Sequence, residues 1–324
     1  MRKITMREAL NEALFEEMER NKNTLCFGED VGYIGGIFGV TRGLQEKFGK
    51  ERVWDTPIAE CTIVGAALGM AITGLVPIAE MQFADFMAVA FDEVHNKLGK
   101  WRYMHGGKFE VPVTLRLPIG ISGGAGPEHS QSPQALFVHS QGLYVVIPSN
   151  PRDAKGLLKQ AIRDPNPVLF FEHKKLYEVK GEVEEEEFLI PFGKAAVKKQ
   201  GTDVTIVATA LQVTTALEAA ELLEKDNISV EVIDPRTLVP LDTDTIFESI
   251  KKTGRLVIVH EDPKRGGTGA EIAALVAEEL LFDLEAPIKR VAGPDVPIAQ
   301  NIHLEKYYVP SVEDIIEAVK ETLD

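Results

Sequence analysis

One acid stands apart in this sequence. Glu60 closes the loop "WDTPIAE" and heads a run from Cys61 to Ala79 that carries no charged residue. A carboxylate at such a place has two uses. It can sit at a helix start and be stabilised by the macrodipole, or it can be a desolvated acid that trades a proton with a bound ligand. The loop "GGAGPEHSQSP" offers a second group, His129, beside Ser130 and Gln131; a loop imidazole is either a solvated bystander or a proton carrier. Phe83 and Phe86 in "MQFADF" are core residues or a stacking platform. Glycines also gather in Arg265–Glu271, "RGGTGAE", which forms a tight turn or an anion-binding nest. There is no GxxxxGK[ST], HExxH or GxGxxG, and the seven histidines lack metal-ligand spacing. Hydrolytic and metal-centred chemistry therefore find little support.

These groups need elements to hold them. "TLCFGED" predicts a strand running into the glycine-rich "GEDVGYIGGIFGVTRG". Cys61–Thr73 predicts a helix in which Gly65 and Gly69 lie one turn apart beside Ala66 and Ala67. Such a face lets another helix approach closely, inside the domain or across a subunit boundary. "ADFMAVAFDEVHNKLGKWRYM" predicts one long helix. "VPVTLRLP" predicts a strand feeding the His129 loop, which places that loop at the carboxyl edge of a sheet, where α/β proteins bind ligands. Strand "LYVVIPS", a helix opened by Pro151 and strand "PVLFFEH" follow. "EVKGEVEEEEFLIPFGK" is acidic and aperiodic, and reads as a solvated linker over 181–193. Beyond it the alternation resumes with "DVTIVAT", a helix over Val213–Lys225, "ISVEVID", a helix over Asp242–Lys252, "RLVIVHE", a helix over Ala270–Leu281, "IKRVA" and the closing "SVEDIIEAVKETL". The pattern predicts an α/β fold with largely parallel sheets in two domains, 1–180 and 194–324.

The bulk numbers agree. A chain of 324 residues with 44% hydrophobic and 26% charged content suits two soluble domains. A net charge of −15 without a basic stripe argues against nucleic acid. Glycines, threonines and Pro77 dilute the uncharged run, so a buried helix followed by a strand is favoured over a membrane span. Two cysteines without CxxC spacing suggest neither disulfides nor zinc, and fit a reducing, cytoplasmic setting.

The segments "FGEDVG", "GGIFGVTRGL", "DTPIAE", "GPEHSQS", "GLYVVIPSNPRDAKGLLKQAIRDPNPVLFFEHKKLY" and "VEVIDPRTLVPLDTDTI" occur in order across the chain. Together they resemble the beta subunit of the thiamine-diphosphate-dependent first component of 2-oxo acid dehydrogenase complexes, of the pyruvate or acetoin type. The resemblance implies a transketolase-like fold, with a pyrimidine-binding first domain and a C-terminal assembly domain. It implies that Glu60 hydrogen-bonds the aminopyrimidine ring nitrogen of the cofactor, and that Phe86 and Ile58 lie against that ring. It implies that His129 assists proton transfer when the acyl group passes to a lipoyl arm. In "AIRDPNP" it implies a potassium site built from main-chain oxygens of Val113, Ala161, Ile162, Asp164 and Asn166. The GDG segment that holds magnesium and the diphosphate in this family is absent. An alpha subunit is expected to supply it, in a two-alpha, two-beta tetramer that serves a lipoyl-bearing acyltransferase. The substrate is expected to be a small 2-oxo acid, pyruvate first, with acetoin or a branched-chain 2-oxo acid as alternatives; a non-catalytic docking subunit is the rival of another class.

Overall fold

A computed structural model describes all residues, 1–324. Two sheets organise the chain. The first has seven strands, in spatial order 237–239, 144–146, 168–173, 114–119, 76–80, 24–28 and 53–55. All its pairings are parallel except the outermost, where 237–239 runs antiparallel to 144–146. The central strands "TLRLPI" and "VLFFEH" are buried along their whole length, as strands covered on both faces must be. Helices Met6–Arg20 and Pro151–Arg163 cover one face, packing Leu10, Leu14, Leu157 and Leu158 against Ile78 and Phe170. The Glu60–Ile72 helix covers part of the other.

The second sheet has five strands, in order 289–293, 256–263, 204–208, 230–234 and 196–199, the last antiparallel. Helices Leu211–Lys225 and Val312–Lys320 lie on one face, Thr243–Thr253 and Thr268–Glu279 on the other. No helix is long and apolar enough to cross a membrane.

Three segments differ from the sequence expectation. Residues Lys180–Val183 of the acidic stretch form a strand that pairs antiparallel with Arg2–Thr5, and Ile190 beyond it is buried against the helix at Gly156. Only part of that stretch is a solvated linker. The region 84–104 is not one helix but a 3₁₀ turn at Ala84–Ala88, a π-helical turn at Glu93–Leu98 and a short helix at Trp101–Met104. Neighbouring structure imposes the break: His95 Nδ1 bonds Ser140 Oγ at 2.7 Å, and a side chain on Gly99 would stand 2.8 Å from the carbonyl of Gln141. Finally, strand 237–239 comes from the second half of the sequence yet completes the first sheet.

Candidate active site

The carboxyl ends of strands 24–28, 53–55, 76–80 and 114–119 meet at one edge of the first sheet, and each delivers part of a site. Gly28 ends the first with φ of 153°, in space that a side chain would contest with the Glu80 carbonyl at 2.4 Å. The next residue, Glu29, is 5% exposed, and its Oε1 has no hydrogen-bond partner. Burial raises the Glu29 carboxyl above its ordinary value, and the nearby charges of Glu60 and Asp30 add to the rise. Asp55 closes the second strand by accepting the amides of Gly32 at 2.6 Å and Tyr33 at 3.3 Å, which fixes the first glycine-rich loop.

Glu60 is the first residue of its helix, behind Ala59, which supplies no side-chain cap. It is half-buried and faces Glu29, a residue to which the sequence reading assigned no role. Cys61 Sγ reaches the carbonyl of Val89 at 3.2 Å, tying the head of this helix to the turn that carries Phe86. The His129 ring packs edge-on against Phe83, at 4.9 Å between centroids, and against Phe86, at 5.4 Å. Phe86 also packs against the hydrophobic core, so the two rings form a partly buried aromatic shelf under His129. Asp85 accepts Gln131 N at 3.1 Å and Nε2 at 2.9 Å, holding the His129 loop down on that shelf. Glu60, Phe86 and His129 thus share one sheet edge, with Ile58 beside Glu60 and 81% exposed.

Of the two uses weighed for Glu60, desolvation is not met within this chain, where the carboxylate is only half-buried. One helix face is buried, through Ile63, Val64, Ala67, Leu68 and Ala71. The other, with Cys61, Thr62, Gly65, Gly69 and Thr73, is open, and a side chain at Gly65 or Gly69 would meet nothing within 4 Å. A helix so apolar on all sides belongs in an interior. The small-residue face is therefore not spent on packing inside the domain.

Beneath the first glycine-rich loop lies a buried ion network. Arg116 donates two bonds to Glu172, at 2.7 and 2.6 Å, and one to Glu80, and Tyr177 Oη donates to Glu172 at 2.7 Å. Burial pushes the Glu80 carboxyl up and Glu172 adds to the rise, while Arg116 opposes it. Glu80 faces the loop directly, since a side chain on Gly36 would stand 3.3 Å from its Oε1. The glycine nest of the second half needs no ligand. Asp262 already fills it, accepting Thr268 N at 2.7 Å and bonding Gln134 and His260. Tight turn, not anion site, is the outcome there.

The potassium positions lie at the opposite end of the sheet, in one corner. Val113 precedes the strand Thr114–Ile119 and its carbonyl accepts Val168 N at 2.8 Å. Ala161 and Ile162 lie in the last turn of a helix, where the Ala161 carbonyl accepts Asp164 N at 3.3 Å, and Asp164 and Asn166 follow, with Asn166 Oδ1 held by Arg102 at 2.5 Å.

Comparison with known proteins agrees with this fold. The family described as transketolase, pyrimidine binding domain, matches residues 2–180. The family described as transketolase, C-terminal domain, matches 193–315. The 2-oxoisovalerate dehydrogenase subunit beta of Bacillus subtilis (strain 168) is 48% identical over 97% of both chains. The pyruvate dehydrogenase E1 component subunit beta of Staphylococcus epidermidis is 48% identical over 100% of both. The acetoin:2,6-dichlorophenolindophenol oxidoreductase subunit beta of B. subtilis is 47% identical over 99% of this chain and 98% of that one. Among solved structures, a split-gene transketolase described as an inactive beta4 tetramer superposes with a TM-score of 0.80 at 28% identity, over 99% of this chain and 98% of that one. The chain belongs to the transketolase-like beta subunits of the thiamine-diphosphate-dependent first component of 2-oxo acid dehydrogenase complexes.

Proposed function

We propose that this beta subunit works with an alpha subunit, in a two-alpha, two-beta tetramer, to decarboxylate a 2-oxo acid oxidatively and pass the acyl group to a lipoyl-bearing acyltransferase. One observation carries the reading: Glu60, whose charge acts on buried Glu29, shares a sheet edge with the aromatic shelf and heads a helix face that this chain leaves open. The residues present fit the pyrimidine half of thiamine diphosphate, with a carboxylate for the ring nitrogen and Phe86 and Ile58 for the ring faces. When bound, the cofactor supplies the electron sink for loss of carbon dioxide. Glu60 holds and returns a proton at the ring nitrogen, and an alpha subunit over the open face shuts out water and lowers the local dielectric. Glu29 adds a second acid behind it, with Oε1 unpaired. His129 moves a proton during acyl transfer.

No group of three or more potential metal-ligating side chains exists in this chain. We assign magnesium and the diphosphate to the alpha subunit, and potassium to the main-chain oxygens of Val113, Ala161, Ile162, Asp164 and Asn166. The solved beta tetramer of similar length is described as inactive, which supports the need for an alpha chain. Pyruvate is our first choice of substrate. The pyruvate, branched-chain and acetoin relatives match almost equally well, as a pocket shared with a second chain would allow. The free thiols of Cys26 and Cys61 favour a cytoplasmic setting.

The test is turnover of the reconstituted pair with pyruvate, 2-oxoisovalerate and acetoin. Glu60→Gln should cut turnover by about 10²–10⁴-fold while assembly persists. Undiminished turnover removes Glu60 from the mechanism, and turnover by the beta chain alone removes the shared site.

A further inference from the structure

Lys174 is an unusual lysine. It follows the strand 168–173, is 6% exposed, and its Nζ donates to the backbone carbonyl of His129. The same ammonium lies 5.1 Å from the centre of the Phe83 ring, one of the two rings on which the His129 imidazole rests. Asp85, Glu261 and Glu305 surround it with negative charge. His173 and Tyr177 flank it in sequence, and Arg7, Arg42 and Glu178 line the same cleft.

Two of those acids come from the second half of the chain and grip the His129 loop themselves. Glu305, 2% exposed, accepts the amides of Gly123 at 3.1 Å and Gly124 at 2.7 Å. Glu261 accepts the amide of Ile121 at 2.9 Å and bonds His173 Nε2 at 2.8 Å. The loop is thus held at its start by C-terminal carboxylates, at its end by Asp85, and at the His129 carbonyl by Lys174. Lys174 makes the one side-chain bond to the backbone of the residue that carries the imidazole, whose amide donates to the Gly126 carbonyl at 3.4 Å.

Resting on the proposed function, we infer that Lys174 is a positioning residue for His129. It fixes the imidazole for acyl transfer to the lipoyl arm, and it carries to the active site a clamp formed by Glu261 and Glu305 of the C-terminal half. The C-terminal half then does more than assemble subunits. Desolvation depresses the Lys174 ammonium to about 8, against the pull of Asp85, Glu261 and Glu305, so the clamp loosens on the alkaline side of neutrality.

The experiment uses the alpha–beta pair and two assays. Decarboxylation read with 2,6-dichlorophenolindophenol as electron acceptor does not need the lipoyl step; reductive acylation of a free lipoyl domain does. Lys174→Met should lower acylation about tenfold, the loss of one charge-assisted hydrogen bond, and change dye reduction by no more than about twofold. Lys174→Arg should restore acylation and move its alkaline limb to higher pH, because guanidinium stays protonated. Glu305→Gln, which keeps the lysine, should show the same selective loss. Amide hydrogen exchange over residues 121–131 of the same pair should quicken in Lys174→Met and recover in Lys174→Arg. Equal loss in both assays, or unchanged exchange in that segment, overturns the inference. If the wild-type pair turns over no 2-oxo acid while Lys174→Met still loosens 121–131, the functional reading falls and the clamp stands.

Discussion

Gly69→Ala would give opposite signs in the free and the assembled chain. Gly69 lies inside a helix, where alanine is favoured over glycine by about 0.8–1 kcal/mol. Its new methyl would meet nothing within 4 Å in this chain, so no clash offsets the gain. For a cooperative unit of this size, 1 kcal/mol moves the melting temperature by about 2–4 °C, and calorimetry on the isolated chain should show a rise of that order. Against a close-packed partner helix the same methyl is over-packing, which costs about 1–3 kcal/mol. Each 1.4 kcal/mol weakens association about tenfold. Sedimentation of mixed alpha and beta subunits should therefore show a dissociation constant raised by about one decade or more. A variant that binds the alpha subunit as tightly as wild type would show that the open face is not where the partner sits. A variant that melts lower when alone would show that the chain covers this face itself.

Two further outcomes follow from buried groups. Because burial raises the Glu80 carboxyl, the folded state holds this proton more tightly than the unfolded chain does. Its contribution favours folding at low pH and is lost as pH rises from the ordinary carboxylate range through the raised folded value. Urea unfolding across that range should show the decline in wild type and a flatter profile in Glu80→Gln; identical profiles would refute the assignment. Replacing sodium chloride by potassium chloride at constant ionic strength should raise the melting temperature, since potassium at ten times its Kd adds about 1.4 kcal/mol. Equal melting temperatures in the two salts would remove the potassium site.

Much of the frame was legible because its signals are local. The continuous apolar runs "VLFFEH" and "TLRLPI" announce strands buried on both faces, and Pro151 marks a helix start that the structure confirms. Glu60 and His129 drew notice through contrast with their neighbours, one acid before an uncharged run and one imidazole among glycines. What stayed hidden depends on distant partners. Glu29 is only an acid in a loop until folding sets it against Glu60. Lys174 resembles an ordinary surface lysine until Glu261 and Glu305, far along the chain, close over it. The broken helix at 84–104 is set by Ser140 and Gln141, which no helical period within that stretch could reveal. The openness of the Gly65–Gly69 face was equally invisible, since composition alone cannot say whether a neighbour belongs to the same polypeptide.

Strand 237–239 has a bearing on how this chain could be divided. It seals the border of the first sheet at Val145 and Val146 with residues made long after the acidic stretch. A fragment ending near residue 193 would expose that border, with its unpaired amides and carbonyls offered to any other extended chain. Swapping the C-terminal half between relatives would meet the same obstacle, because the donor must bring a matching stitch for a sheet it otherwise does not own. The two halves of the chain are therefore coupled through the sheet itself, and neither is self-sufficient at that border.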